Sequence, residues 1–145
     1  PPSVAMRKLY LPLFRRHHVR MTIGGHDHLL DHWVEHYADE EGVHRMDHIV
    51  TGGGGAPTDV DRGEPDLKRY VDDATPDRVH IEHLAAPGPD TGDNPHHFLV
   101  FEVDGDRLWV QAVATSARPF LPYGHQRIEL PMPQSDAPPQ AGSTP

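Results

Sequence analysis

The 145-residue sequence predicts an α/β (α+β) fold with mixed β-sheets, on three observations. A helical hydrophobic period near the start changes to the alternation that is typical of a strand. That strand ends at a glycine pair, and two further strand-like segments flank the dipeptide Asp104-Gly105. A helix, a strand and a glycine turn in this order form half of an α/β unit, whose sites lie beyond the C-terminal ends of the strands.

The first elements are predicted from the change of period. Residues 4–18 carry apolar side chains at near-helical spacing and predict a helix, which Pro12 should kink or restart. Residues 19–24 alternate apolar and polar side chains and predict a strand. Gly24 and Gly25 end it.

The middle of the chain predicts more strands. Residues 31–37 and 43–50 predict two strands joined by the turn "ADEEG". The run "TGGGGAP" follows at 51–57, where consecutive glycines permit a close approach of backbones or a positive φ.

The remainder alternates between loops and strands. Residues 58–78 predict an acidic loop with a short helical turn at 67–71, and residues 79–85 predict a strand. Residues 87–95 predict a loop, because proline, glycine and aspartate dominate them.

The segment 96–115 predicts a β-hairpin with its two-residue turn at Asp104-Gly105. Residues 131–145 are rich in proline and lack an apolar pattern, which predicts a disordered tail. We therefore expect one domain over residues 1–130.

Composition excludes several functions. The net charge of −9 argues against a nucleic-acid-binding surface, and no apolar run approaches the roughly 20 residues that cross a membrane. Cysteine is absent, so any metal ion must be held by histidine, carboxylate or amide groups.

Histidine is abundant, at 13 residues, and His26 and His28 flank one aspartate directly after the glycine pair. In an extended segment these two side chains would point the same way, which suits metal binding by neutral imidazole. About one His-x-His is expected by chance at this composition, so the spacing alone does not distinguish a metal site from coincidence.

The other close histidine pairs are interpreted as surface or partly buried side chains. One pair ends the predicted helix, one shares a face of a strand, and one alternates at the start of a strand. These pairs are His17 and His18, His32 and His36, and His96 and His97.

The order "PLFRRHHVRMTIGGHDH", "HIVTGGGGAP" and "HFLVFEVDGDRLWV" resembles the C-terminal half of calcineurin-like metallophosphoesterases, and it is most similar to the purple-acid-phosphatase-like branch. The resemblance covers roughly residues 1–115. It implies a β-sandwich flanked by helices, of which residues 1–130 would be the C-terminal portion.

The resemblance also implies a site. His26 and His28 would each ligate one of two divalent or trivalent metal ions (Fe, Zn or Mn). Such a pair would clamp a small-molecule phosphate ester and activate water for in-line attack on phosphorus.

Three earlier motifs of that family are missing from the sequence: Asp-x-His, a bridging aspartate in a Gly-Asp segment, and Gly-Asn-His-Asp/Glu. The chain is therefore expected to need an N-terminal half of the domain. The family's Asn-Tyr-Glu-Arg is replaced by Leu29-Leu30-Asp31-His32, which leaves the substrate class open.

Two alternatives remain. Instead of a part of a phosphoesterase, the chain would be a histidine-rich module that binds Zn²⁺ or Ni²⁺ without catalysis, or a structural fragment whose strands serve folding and association only.

Overall fold

A computed structural model describes most of the chain. The described residues are 4–58, 79–85, 87–88, 90, 93–115 and 127–130. The helical turn predicted at 67–71 and the tail predicted at 131–145 lie outside them.

One helix and seven strands occur in this described part. They are α1 (Val4–Arg16), β1 (Met21–Gly24), β2 (Leu30–Asp39), β3 (Gly42–Thr51), β4 (Val79–Ala85), β5 (His97–Asp104), β6 (Arg107–Ala114) and β7 (Arg127–Leu130). The chain is thus rich in β-structure with one helix, which confirms the α+β class.

The predicted elements are present, with shifts at their ends. α1 continues through Pro12 without a restart and ends at Arg16. The predicted two-residue turn of the β5–β6 hairpin is displaced by one residue, because Asp104 still pairs with Arg107. Gly105 is the first central residue of the turn and has a φ of +57°, a conformation that glycine adopts without steric cost.

The strands form two sheets. Sheet A has the order β1-β3-β2-β4, and sheet B has the order β5-β6-β7. β1 runs parallel to β3, whereas the other pairings are antiparallel. Sheet A is therefore mixed, as the sequence predicts.

Sheet A contributes to two apolar clusters. Leu30 and Ile49 of sheet A pack in one cluster with Val110 and Leu130 of sheet B. Tyr37 of β2 and Met46 of β3 face the opposite side of the sheet and form the other cluster together with Leu11 of α1. Because successive strand residues face opposite sides, sheet A lies between α1 and sheet B.

The central strands supply the most deeply buried side chains. Val34 and Met46 are fully buried, and each contributes about 1.5–3 kcal/mol through its removal from water. Within the described residues, no helix is both long and apolar enough to cross a membrane.

The two ends of sheet A carry different loops. The glycine end consists of residues 25–29, between β1 and β2, and residues 52–57, which follow β3. The hairpin end consists of the β2–β3 turn, residues 39–44, and His18, which follows α1.

Candidate functional site

His26 and His28 lie at the glycine end, beyond the C-terminal end of β1. The segment that holds them is bent, and His26 has a φ of +88°. The extended geometry assumed from the sequence is therefore wrong here, because a positive φ breaks the alternation of side chains. The Leu29 N–H donates to the Asp27 carbonyl at 2.9 Å, which tightens the bend.

The crossing of the two loops explains why the first position of the glycine run, Gly52, is a glycine. β3 lies between β1 and β2, so residues 25–29 must pass over the end of β3 to reach β2. A Cβ atom on Gly52 would lie 2.0 Å from the Asp27 carbonyl oxygen. The Gly52 N–H donates to the Leu29 carbonyl at 3.1 Å, so the two loops are also bonded together. Only glycine fits at this crossing, which confirms the predicted close approach of backbones.

Pro57 orients the imidazole of His28. Its carbonyl oxygen lies 3.0 Å from Nδ1 of His28. A carbonyl only accepts, so Nδ1 carries the proton and the lone pair of the neutral ring is on Nε2. A backbone carbonyl in this position is the usual second partner of a histidine that ligates a metal ion.

The buried imidazole of His97 lies directly against Gly53 of the glycine run. A Cβ atom on Gly53 would lie 2.1 Å from Nδ1 of His97. The ring is 3% exposed, with Nδ1 3.1 Å from the Pro95 carbonyl and Nε2 3.0 Å from the Thr51 hydroxyl. Burial lowers the pKa of His97, so the neutral form is favoured. The interpretation of His97 as a surface or partly buried side chain is wrong.

The centre of sheet A contains buried ion pairs on both faces. Glu35 contacts Arg15 of α1 and His48. Burial alone would raise the pKa of Glu35, but the contacts with His48 and Arg15 outweigh it and leave that pKa below its ordinary value. A buried carboxylate of this kind keeps its charge because the Arg15 guanidinium and the hydrogen bond with His48 offset the cost of burial.

The other face carries a second buried acid. Asp47 accepts two bonds from Arg45, at 2.8 and 3.0 Å, and its Oδ1 lies 2.8 Å from Nε2 of His32. His32 is fully buried, so its interpretation as a surface or partly buried residue is also wrong. Asp47 compensates the burial of the imidazole, which composition alone does not reveal.

The hairpin end holds a compact group of potential ligands. Nε2 of His18 lies 2.9 Å from Oδ2 of Asp39, and Nε2 of His44 lies 2.7 Å from Oδ1. Hydrogen bonds from His18, then from His44 and the Glu41 N–H, hold the pKa of Asp39 well below its usual range. The sequence gives no local signal for this group, because helix packing brings His18 to the hairpin.

The two ends differ in their donor sets. In the part of the chain that is described, His18, Asp39 and His44 are the one group of three or more such side chains whose ligand atoms all lie within 4.8 Å of one another. His26 and His28 do not belong to a group of this kind there.

Comparisons with known proteins add no assignment. No protein-family profile, no curated protein and no solved structure matches the chain.

Proposed function

We propose that this chain is the C-terminal part of a dinuclear metal-dependent phosphoesterase, in which His26 and His28 each ligate one metal ion. The observation that carries the proposal is the hydrogen bond of His28 to Pro57, which joins the two loops of the glycine end. It fixes the tautomer in which Nε2 has the lone pair that a metal ion needs.

Two metal ions held there would supply the positive charge that binds a phosphate ester and favours in-line attack by water. The chain's own part is to position the two imidazoles. Gly52 lets the His26–His28 loop pass over β3, and Pro57 then fixes the ring of His28. No serine or cysteine nucleophile is required, in accord with a chain that lacks cysteine.

The remaining ligands must include carboxylates, since two neutral imidazoles do not balance the charge of two metal ions. We propose that a preceding half of the domain supplies them and extends sheet A beside β1. Within the described residues β1 is an edge strand in parallel pairing, and Ile23 on it is 52% exposed. An edge strand presents unpaired N–H and C=O groups to which a further strand can add. The complete domain would then be the helix-flanked β-sandwich that the resemblance implies.

The test is hydrolysis of p-nitrophenyl phosphate by the intact protein that carries this sequence. We expect His26→Ala and His28→Ala each to lower kcat/KM by at least about 100-fold, because even the second partners of metal ligands are worth 10- to 100-fold. His17→Ala is the matched control, since His17 is an exposed histidine that follows α1 and does not belong to the glycine end.

Metal content separates the proposal from its alternatives. We expect each glycine-end variant to hold fewer metal ions than the wild-type protein, because His26 and His28 would each ligate one ion. Wild-type hydrolysis by both variants contradicts the proposal. Metal uptake by a protein without hydrolytic activity indicates the non-catalytic binding module instead.

A further inference from the structure

The hairpin end brings two imidazoles and one carboxylate together without help from the glycine end. The rings of His18 and His44 stack with their centroids 4.0 Å apart and an interplanar angle of 13°. Each ring directs Nε2 to a different oxygen of Asp39. Ligand atoms from the segment after α1, from β2 and from β3 thus lie within 4.8 Å of one another.

The backbone places His18 there in an unusual way. The His18 N–H donates to the Arg15 carbonyl at 3.0 Å, and the Val19 N–H donates to the Phe14 carbonyl at 2.9 Å. These two bonds form a Schellman motif, whose left-handed residue is normally glycine or asparagine. His18 occupies that position with a φ of +48°. The helix end itself requires only a residue that adopts the left-handed conformation. The imidazole of His18 is therefore not explained by the helix end.

The β2–β3 hairpin places the other two ligands. Tyr37 pairs with His44 across the strands, and Asp39 lies two residues further along the same face of β2. The ring of Tyr37 stacks on His44, with centroids 5.2 Å apart. The Glu41 N–H donates to Oδ1 of Asp39 at 2.8 Å and fixes that carboxylate. The ligands are thus oriented by the strands before any ion binds.

We propose that His18, Asp39 and His44 bind a divalent transition-metal ion of the zinc type, which ties the end of α1 to the β2–β3 hairpin. Imidazole and carboxylate are ligands that Zn²⁺ accepts in tetrahedral sites. Neighbouring ligand atoms in such a site are about 3.3 Å apart when the bonds are about 2.0–2.1 Å long. The hydrogen-bonded N–O distances of 2.9 and 2.7 Å would lengthen on binding, and all three ligand atoms already lie within 4.8 Å of one another.

The carboxylate of Glu41 lies on the other side of the His18 ring, with Oε2 3.8 Å from Nδ1. It can therefore orient the ring, and water completes the fourth position. The half-exposed cluster is open to solvent, so the ion has a direct route of entry.

The site is distinct from the glycine end. β2 runs from one end of sheet A to the other over ten residues. At about 3.3 Å per residue, the two ends are about 30 Å apart. Binding at the hairpin end is therefore independent of the proposed phosphoesterase centre.

The experiment is a Zn²⁺ titration by calorimetry in the background of His26→Ala and His28→Ala, so that the glycine end does not contribute. The informative variant is His18→Asn, because asparagine tolerates the left-handed position and removes the ligand. His17→Asn is the matched control on the neighbouring, exposed residue. We expect at least tenfold weaker Zn²⁺ affinity in His18→Asn and in Asp39→Asn, and unchanged affinity in His17→Asn.

Two further measurements make the result decisive. Co²⁺ in place of Zn²⁺ should give the visible bands of tetrahedral coordination in the background protein, and His18→Asn should lose them. The affinity should fall below about pH 6, where protons compete for imidazole. Equal Zn²⁺ affinity in His18→Asn and His17→Asn overturns the proposal, as does a Co²⁺ spectrum without tetrahedral bands.

Discussion

The two ends of sheet A both gather histidines, but they are built by different means. The geometry of the glycine end is determined by its backbone, because residues 25–29 cross β3 and only a glycine at 52 lets them pass. The geometry of the hairpin end is determined by side chains, because His18 and His44 are both hydrogen-bonded to Asp39.

This difference predicts opposite sensitivities. The glycine end should be damaged by atoms that are added, since its backbones are already in contact. The hairpin end should be damaged by atoms that are removed, since its geometry depends on three side chains. The buried ion pairs between them keep sheet A intact and so support both ends.

The largest effect is expected from Glu35→Ala, which disrupts both ends together. The substitution leaves Arg15 and His48 without the carboxylate that balances them inside the protein. Loss of one partner of a buried pair lowers the free energy of unfolding by about 3–5 kcal/mol. Urea denaturation measures this change.

Glu82→Ala is the control for that prediction. Its carboxylate is exposed and lies 3.9 Å from Nε2 of His36. We expect a change of less than about 1 kcal/mol, because exposed ion pairs contribute little. Equal losses in the two variants would show that Glu35 does not hold the sheet together.

The second largest effect is expected at the glycine crossing. Gly52→Ala adds a Cβ atom 2.0 Å from the Asp27 carbonyl oxygen, so one backbone must move. We expect the free energy of unfolding to fall by about 1–3 kcal/mol, as is usual for overpacking. Hydrolysis by the intact protein should fall with it, because the same loop carries His26 and His28.

Gly54→Ala is the matched control within the same run. A Cβ atom there meets no atom within 4 Å, and we expect a change within about 0.5 kcal/mol. Thermal melts of both variants measure the difference. If Gly52→Ala melted like Gly54→Ala, the crossing would not be the reason for the glycine at position 52.

Much of the local structure is predictable from the sequence. The hairpin around Gly105 and the strands at 31–37 and 43–50 follow from local alternation and turn residues, which depend on neighbours in the chain. The glycine end is predictable for the same reason, because "GGHDH" and "TGGGGAP" are contiguous segments. The metal-binding role of His26 and His28 stays a prediction.

The rest depends on contacts between distant residues. His18 and Asp39 are 21 positions apart and meet only because α1 packs on sheet A. The burial of His32 depends on Asp47, 15 positions away. The strand order, with β3 between β1 and β2, is likewise a property of the assembled sheet. Periodicity along the chain carries no information on these pairings.

The smallest effect concerns pH and tests whether His97 supports the glycine end in its neutral form. Burial lowers its pKa from the ordinary 6.5, so the unfolded chain binds a proton at a higher pH than the folded chain does. Where the unfolded state binds more protons, stability rises with pH. The free energy of unfolding should therefore fall as the pH drops through about 6.5, and this contribution levels off below the pKa of folded His97.

His97→Gln removes that contribution. We expect its unfolding free energy to depend less on pH between about 7 and 5 than that of the wild type, in urea denaturation at each pH. His96→Gln, on the exposed neighbour, shows how much of the change follows from removing any imidazole of this loop. If the two variants gave the same slope, burial of His97 beneath Gly53 would not favour the neutral ring. The glycine end would then rest on its backbone crossing alone.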